Sequence, residues 1–192
     1  GIREVEFSIT HNRGCFGACN FCSIAFHQGR YVTTRSKKSI MIEAEKLTHM
    51  PNFKGYIHDI GGPTANFRRP SCDYQKEHGL CKGKKCLAPK PCGNLSVDHS
   101  EYLDILRSVR GINGVKKVFI RSGIRYDYLL KDKDDTFFRE LVENHVSGQS
   151  KVAPEHCSAS VLDKMGKPHI EAYIDFSRRY FQYTGEVNKE QY

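Results

Sequence analysis

Polar and apolar residues alternate in short runs that predict β-strands. Four runs show this pattern: 5–10, 55–60, 115–121 and about 150–153. In the first, Val5, Phe7 and Ile9 share one face, as expected for a strand with one side against a core. The third is rich in β-branched and aromatic residues, which favour strands.

Apolar residues recur at helical spacing in the segments between these runs. Ile40, Ala44 and Leu47 predict one helix, with Ser36 or Ser39 as its N-cap. The later helices are marked by the apolar sets Tyr102, Ile105, Leu106, Val109; Phe137, Phe138, Leu141, Val142; Val161, Leu162, Met165; and Ile170, Tyr173, Ile174, Phe181.

Local signals predict where two of these helices begin and end. Asp98 and Glu101 have the spacing of a capping box at the start of the helix that contains Tyr102. Gly111 should end that helix, and the run Gly166-Lys167-Pro168 should break the helix before it.

Strands that alternate with helices predict an α/β fold with parallel strands, here about four consecutive βα units. A chain of 192 residues with 39% hydrophobic side chains is expected to form one domain. No apolar stretch approaches the roughly 18 residues of a membrane span, and no signal sequence precedes the first strand. We therefore expect a cytoplasmic protein. Because the first strand begins near Gly1 and no element closes the fold after the last helix, we expect a fragment of a longer chain.

Residues suited to chemistry follow the end of each predicted strand. Cysteines follow the first strand, Gly61-Gly62-Pro63 follows the second, residues 122–127 follow the third and Pro154-Glu155-His156 follows the fourth. In a β/α barrel or an open α/β sheet, the carboxyl ends of the parallel strands share one face, where ligands bind. The four loops are therefore expected to form one site.

The first loop carries Cys15, Cys19 and Cys22, spaced C-x3-C-x2-C and accompanied by Gly14 and Gly17. Thiolates at these intervals in a glycine-containing loop can hold one iron-sulfur cube. Three ligands leave one iron open to a small molecule. Eight cysteines in 192 residues are too few for a disulfide-built scaffold, and clustered cysteines favour metal or redox chemistry.

A second cysteine group comprises Cys72, Cys81, Cys86 and Cys92, spaced C-x8-C-x4-C-x5-C. This is not a common zinc spacing, yet a loop with few helix or strand formers could wrap zinc or a second iron-sulfur cluster around these thiols. Free or oxidised thiols are the alternative. Cys157 stands apart and is predicted to be a small buried or half-buried residue.

The formal charge of +8 is concentrated in residues 67–92, where seven lysines or arginines face two acidic residues. A basic segment can bind nucleic acid, but it can also be a solvated surface or neutralise metal-bound thiolates. Histidines such as His58 and His156 show no ligand pair at helical spacing, and no general acid or base is assigned.

Four motifs together resemble the radical S-adenosylmethionine (radical SAM) enzymes, and more narrowly their YgiQ-like branch. They are CFGACNFCSI at 15–24, DIGGPTAN at 59–66, SGIRYD at 122–127 and APEH at 153–156. The resemblance extends over nearly all of residues 1–192. It implies a partial (β/α) barrel, the first two thirds of the catalytic core, with a Cys-rich insertion at about 67–97 after strand two.

The resemblance implies that Cys15, Cys19 and Cys22 hold a 4Fe-4S cluster whose open iron binds SAM. Reductive cleavage of SAM would then produce a 5′-deoxyadenosyl radical that abstracts hydrogen from a substrate. The electron donor would be a protein such as flavodoxin or ferredoxin. The resemblance identifies neither the substrate nor whether SAM is consumed or regenerated.

It also implies SAM contacts for six further residues: Phe21, Gly61, Gly62, Ser122, Arg125 and Glu155. Phe21 would lie near the adenine, or else be a buried aromatic. The glycine pair would admit the methionyl end of SAM, or else form a tight turn. Arg125 would meet SAM or its carboxylate, or else form a structural ion pair. In many radical SAM enzymes a small residue follows the glutamate at this position, and His156 departs from that pattern.

A different class of function remains open. In that alternative the cysteines hold structural zinc and the basic insertion docks on nucleic acid, without catalysis. The first cysteine group distinguishes the two hypotheses, because a structural zinc site needs four ligands and no fourth candidate lies close to Cys22 in sequence.

Overall fold

Short parallel strands form the centre of the protein. The computed structural model describes residues 5–70 and 72–192. The strands are β1 (Ser8–Thr10), β2 (Asn12–Arg13), β3 (Thr33–Thr34), β4 (Tyr56–Ile57), β5 (Asp59–Gly61) and β6 (Lys117–Val118). β1 pairs with β5 and β4 pairs with β6, both in parallel, while β2 and β3 form an antiparallel ribbon.

Backbone hydrogen bonds extend this pairing from one predicted strand to the next. The amide of Ile60 donates to Phe119 (3.1 Å), and that of Ile120 donates to His145 (2.9 Å). Further along, Ile124 donates to Lys151 (2.8 Å). The first three predicted strands therefore lie side by side in chain order. The fourth, 150–153, is extended chain without regular pairing, so its prediction as a strand is wrong.

The first predicted strand is shorter than its apolar pattern indicates. The amide of Ser8 donates to the carbonyl of Val5 (3.1 Å), which closes a turn before β1 begins. This turn leaves Val5 63% exposed, while Phe7 and Ile9 are buried. The prediction that all three share one buried face is wrong for Val5.

Helices lie in all five predicted segments, and the described residues contain three further short helices, at 24–27, 73–78 and 126–129. In chain order the helices are α1 (Ile24–His27), α2 (Lys37–Thr48), α3 (Asp73–His78), α4 (Ser100–Arg110), α5 (Tyr126–Leu129), α6 (Thr136–Glu140), a π-helical turn (Leu141–His145), α7 (Ala159–Met165) and α8 (Ile170–Glu186). Ser36 caps α2 by accepting a hydrogen bond from the amide of Ser39 (3.2 Å), so Ser36 is confirmed as the N-cap. α7 ends at Gly166 in the left-handed conformation.

The predicted capping box of α4 is wrong. His99 is the N-cap, and its side chain makes no capping hydrogen bond. Asp98 instead accepts from the amide of Ser100 (2.7 Å). Glu101 turns toward Arg68 and Arg69, because two guanidinium groups offer stronger partners than one backbone amide. Gly111 does end the helix.

One apolar core lies between the helices and the strands. β1, β5 and β6 contribute Ile9, Ile60 and Val118, and the aromatic residues of α4, α6 and α8 close around them. On α8 the buried face is formed by Phe176, Tyr180 and Tyr183, not by Ile174 and Phe181, which are about half exposed. Of the described helices, none is both long enough and apolar enough to cross a membrane.

Candidate functional site

The first cysteine loop is closed by the ribbon of β2 and β3. Gly14, at φ +82°, starts the loop where the backbone carbonyl of Tyr31 leaves no room for a Cβ. The amide of Cys15 then donates to the carbonyl of Gly29 (3.1 Å). Ala18, at φ +49°, turns the chain between the first two cysteines. The amide of Cys22 donates to Cys19 (3.1 Å), which holds the last two cysteines in one tight turn.

Asn20 docks this loop on the end of α7. Its amide donates to the carbonyl of Met165 (2.8 Å) and its side chain donates to the carbonyl of Lys164 (2.6 Å). Lys85 of the insertion also donates to the Asn20 side chain. The cysteine loop is therefore held between its own ribbon, a late helix and the insertion.

Two of the three thiols contact residues from later loops. Cys15 Sγ lies 3.3 Å from the hydroxyl of Thr64, in the loop after β5. Cys19 Sγ accepts a hydrogen bond from Arg125 Nη1 (3.4 Å), in the loop after β6. Gly17 permits this approach, since a Cβ there would lie 2.6 Å from Arg125 Nη1. The loops that follow three parallel strands therefore meet at this cysteine loop.

Arg125 is buried at 6% exposure and faces both a carboxylate and a thiol. Its Nε donates to Asp127 Oδ1 (2.6 Å) and its Nη2 donates to Oδ2 (3.1 Å). Burial lowers the pKa of Arg125, but the charge of Asp127, its hydrogen bonds and the charges of Cys19 and Cys15 together raise the pKa above its ordinary value. The structural ion pair is thus confirmed, and the same side chain also reaches Cys19.

A buried lysine adds a second positive charge near Cys19. Lys167 is 4% exposed, and its ammonium lies 3.7 Å from Glu155. Burial, and then the charge of Arg125, lower the pKa of Lys167, while Cys19 and Glu155 act in the opposite direction. Glu155 itself lies at φ +71°, a conformation that non-glycine residues rarely adopt.

The glycine pair after β5 has no room for side chains. A Cβ on Gly61 would collide with Ser122 and Asp59, and one on Gly62 would collide with the side chain of Asn12. Ser122 donates to Asp59 and accepts from the amide of Gly62 (3.3 Å). The pair therefore lies where the ends of neighbouring strands pack closely against each other.

Asn12 and Asn66 fix the loop after β5 on both sides. The Asn12 side chain donates to the carbonyls of Thr64 (2.9 Å) and Phe67, while its own carbonyl oxygen is buried without a partner. Asn66 Oδ1 accepts from the amide of Arg125 (2.8 Å), and its Nδ2 donates to the carbonyl of that residue (3.2 Å). These bonds fix the loop that carries Thr64.

Some predicted residues lie away from these contacts. Phe21 is 54% exposed, which contradicts the alternative of a buried aromatic. Cys157 is exposed, so the prediction of a buried or half-buried residue is wrong. His156 accepts from the amide of Ser158 (2.9 Å), a local bond just before α7.

Sequence reasoning missed five residues of the site, namely Asn12, Thr64, Asn66, Asp127 and Lys167. Thr64, Asn66 and Asp127 lie within the quoted motifs, where their polarity in otherwise apolar segments was an available signal. The sequence indicates Lys167 only as part of a helix break. Nothing local indicated that its side chain turns inward.

The second cysteine group also comes together. Cys72, Cys81, Cys86 and Cys92 line one cavity of about 200 Å³. All eight cysteines of the chain are free thiols. Within residues 5–70 and 72–192, no three His, Cys, Asp or Glu side chains are grouped closely enough to hold a single metal ion. The insertion is also more ordered than predicted, because it contains α3.

The chain resembles the UPF0313 proteins along its whole length. It is 60% identical over 191 residues to a UPF0313 protein of Clostridium perfringens strain ATCC 13124, and it spans 29% of that relative. It is 56% identical over 191 residues to a UPF0313 protein of Clostridium botulinum strain 657, spanning 30% of it. In both comparisons the whole chain is covered. No family model matches the chain.

Proposed function

We propose that this chain is the cofactor-binding core of a radical SAM enzyme, with Cys15, Cys19 and Cys22 as ligands of a 4Fe-4S cluster. The proposal rests chiefly on one observation: Cys15 and Cys19 contact Thr64 and Arg125, which follow two other parallel strands. Short parallel strands in chain order support a partial (β/α) barrel. Ligands of such folds bind at the carboxyl ends of the strands.

The residues around the loop suit a thiolate-bound cluster. The three thiols are free and partly buried, so they are available as soft ligands for iron. Arg125 and Lys167 provide buried positive charge beside Cys19, which would stabilise a negatively charged cluster. The backbone amide of Gly17 lies in the same loop and would donate to a sulfide of the cluster, whereas the amide of Gly14 donates to Gln28 Oε1 (3.3 Å).

The glycine pair and its neighbours form the part of the site proposed for SAM. Gly61 is buried and Gly62 is half-buried, and the lack of side chains at both positions lets this backbone pack against Asn12 and Ser122, beside the loops proposed to bind SAM. Ser122 and Glu155 provide polar atoms at adjoining loops, and the exposed ring of Phe21 is available to stack on an adenine. When bound, the cluster and SAM would supply one-electron cleavage of a carbon–sulfur bond, with a flavodoxin or ferredoxin as electron donor.

The proposal is tested on the protein at the full length of its relatives, because the chain spans only 29% to 30% of them. The protein is reconstituted with iron and sulfide without oxygen, then assayed by EPR spectroscopy and for 5′-deoxyadenosine. A C15A/C19A/C22A variant is expected to lose the SAM-responsive EPR signal and all SAM cleavage, since it lacks the ligands of the open cluster.

Cys157→Ala is the matched control, because this thiol is exposed and lies outside both cysteine groups. It should behave as the wild type. Unchanged SAM cleavage in the triple variant would refute the proposal. One zinc per chain in place of iron, together with nucleic-acid binding, would favour the non-catalytic alternative.

A further inference from the structure

The second cysteine group encloses a space that none of the contacts described above uses. Cys72 precedes α3 and is 9% exposed, and Cys86 is 8% exposed. The amide of Cys92 donates to the carbonyl of Cys86 (2.8 Å), which folds the end of the insertion back on itself. Cys81 lines the cavity from the segment between them. Thiols up to 20 positions apart thus face one cavity.

The size of the cavity favours a cluster over a single ion. One water molecule needs about 10–15 Å³ of such space, and the cavity measures about 200 Å³. Tetrahedral zinc bonded to sulfur at about 2.3 Å would draw four sulfurs to about 3.8 Å from one another and leave no such space. An iron-sulfur cube contains eight core atoms and is held by four thiolates at its corners.

The cavity wall has the polar groups that a buried cluster needs. Gln75 is 1% exposed, and its Nε2 donates to Cys86 Sγ (2.9 Å). Its Oε1 is buried without a hydrogen-bond partner. Hydrogen bonds to cluster sulfur atoms tune the reduction potential.

The insertion carries positive charge that can balance the negative charge of four thiolates. Lys84 and Lys85 line the cavity, and Arg30 donates to the carbonyl of Lys84 (2.9 Å). These cations would offset the negative charge that an all-cysteine cluster brings into a partly buried site. Elsewhere in the basic segment, Arg68 and Arg69 pair with Glu101. The positive charge therefore has partners within the chain and need not indicate nucleic acid.

An apolar cluster supports this site and also contacts the first cysteine loop. Cys86 packs with Phe16, Phe67, Leu87 and Tyr128, and Cys15 packs against the same residues. The rings of Phe16 and Phe67 stack at 3.8 Å. Cys86 belongs both to this cluster and to the cavity wall, so apolar packing lies directly beside the cavity.

We propose that Cys72, Cys81, Cys86 and Cys92 hold a second 4Fe-4S cluster, fully ligated by the protein and unable to bind SAM. The proposal does not depend on the function of the first cysteine loop. The two proposed clusters differ in the number of protein ligands: three in the first loop, and four here, which leave no iron open.

The test counts iron, sulfide and zinc in full-length protein purified without oxygen. Wild type should contain about eight irons per chain, and C81S/C92S about four. These two cysteines are the less buried members of the group, so their replacement disturbs packing least. C15A/C19A/C22A should also retain about four irons. The remaining EPR signal should respond to SAM in C81S/C92S and not in the triple variant. C157S is the matched control and should equal wild type.

The failures of the two proposals have different signatures. If the triple variant keeps the iron content of wild type and C81S/C92S loses all iron, only the second site holds a cluster. Unchanged iron in C81S/C92S, or one zinc per chain that this variant loses, overturns the second cluster.

Gln75→Leu gives a test that removes no ligand and remains informative if C81S/C92S does not fold. It should preserve about eight irons and shift the reduction potential of the SAM-insensitive cluster to more negative values. An unchanged potential would show that the cluster does not lie beside Gln75, which overturns its assignment to these four cysteines.

Discussion

Arg125 combines two contacts that no sequence pattern links. Its guanidinium neutralises Asp127 inside the protein and donates to Cys19 across more than 100 positions of sequence. The position of Arg125 after a strand suggested either a ligand contact or an ion pair. The structure shows the ion pair, and the five donors of the planar guanidinium leave one for Cys19.

Removing the guanidinium is expected to separate these roles. Arg125→Met leaves the Asp127 carboxylate buried without a partner and should reduce the free energy of unfolding by about 3–5 kcal/mol. Arg125→Met/Asp127→Leu should recover most of this loss. Urea denaturation measures both values.

The double variant also tests the contact with Cys19. If Arg125 supports the proposed first cluster, the reduction potential of the SAM-responsive signal should stay more negative than in wild type, because a donor to sulfur is gone. Recovery of both stability and potential would limit Arg125 to the ion pair.

At the scale of elements, the site depends on how closely the ends of neighbouring strands, and the loops that follow them, approach one another. β1 and β5 pair in register, with Thr10 opposite Gly61, and β2 follows immediately beyond β1. Gly62 consequently lies against Asn12 at the start of β2. The alternation of strands and helices predicts that the first two strands are neighbours. The close approach of Gly62 to Asn12 depends in addition on the register in which β1 and β5 pair.

Gly62→Ala should therefore destabilise the protein. The added Cβ collides with Asn12, whose side chain is fixed by the carbonyls of Thr64 and Phe67. We expect a loss of about 1–3 kcal/mol, measured by urea denaturation. Gly93→Ala is the matched control, because nothing lies within 4 Å of a Cβ there. Equal stability of the two variants would contradict the packing described.

At the scale of the whole molecule, two buried histidines link stability to pH. Burial is the main cause that lowers the pKa of His11 and of His145 to about 4. Nearby cations add to it, Arg68 for His11 and Arg110 for His145, while backbone carbonyls and carboxylates oppose it. Both rings are therefore neutral in the folded protein at neutral pH.

Stability should fall as the pH decreases from 6.5 toward 4. In this window the unfolded chain binds protons that the folded chain excludes, so protonation favours unfolding. Each histidine should cost about 2 kcal/mol by pH 5 relative to pH 7. Urea midpoints at several pH values measure the slope, and His145→Gln should reduce it by about one proton. A flat profile in wild type would contradict the buried, neutral histidines.

Several features were predictable from sequence because they depend on neighbours along the chain. The structure confirms three such local signals: the α2 cap at Ser36, the end of α4 at Gly111 and the end of α7 at Gly166. The predicted capping box is absent because Glu101 forms ion pairs with Arg68 and Arg69, which are distant in sequence. The buried face of α8 was misread because packing against α5 and the π-helical turn selects it.

The sequence by itself determined the residue types and their order: two cysteine groups, a glycine pair and polar residues after strand ends. Spacing along the chain is sufficient for these features, since each lies within one short segment. Only the tertiary structure decided that Cys19 meets Arg125, that Lys167 turns inward and that four distant thiols share one cavity. These contacts depend on parallel strand pairing and core packing, which bring together residues that no local pattern connects.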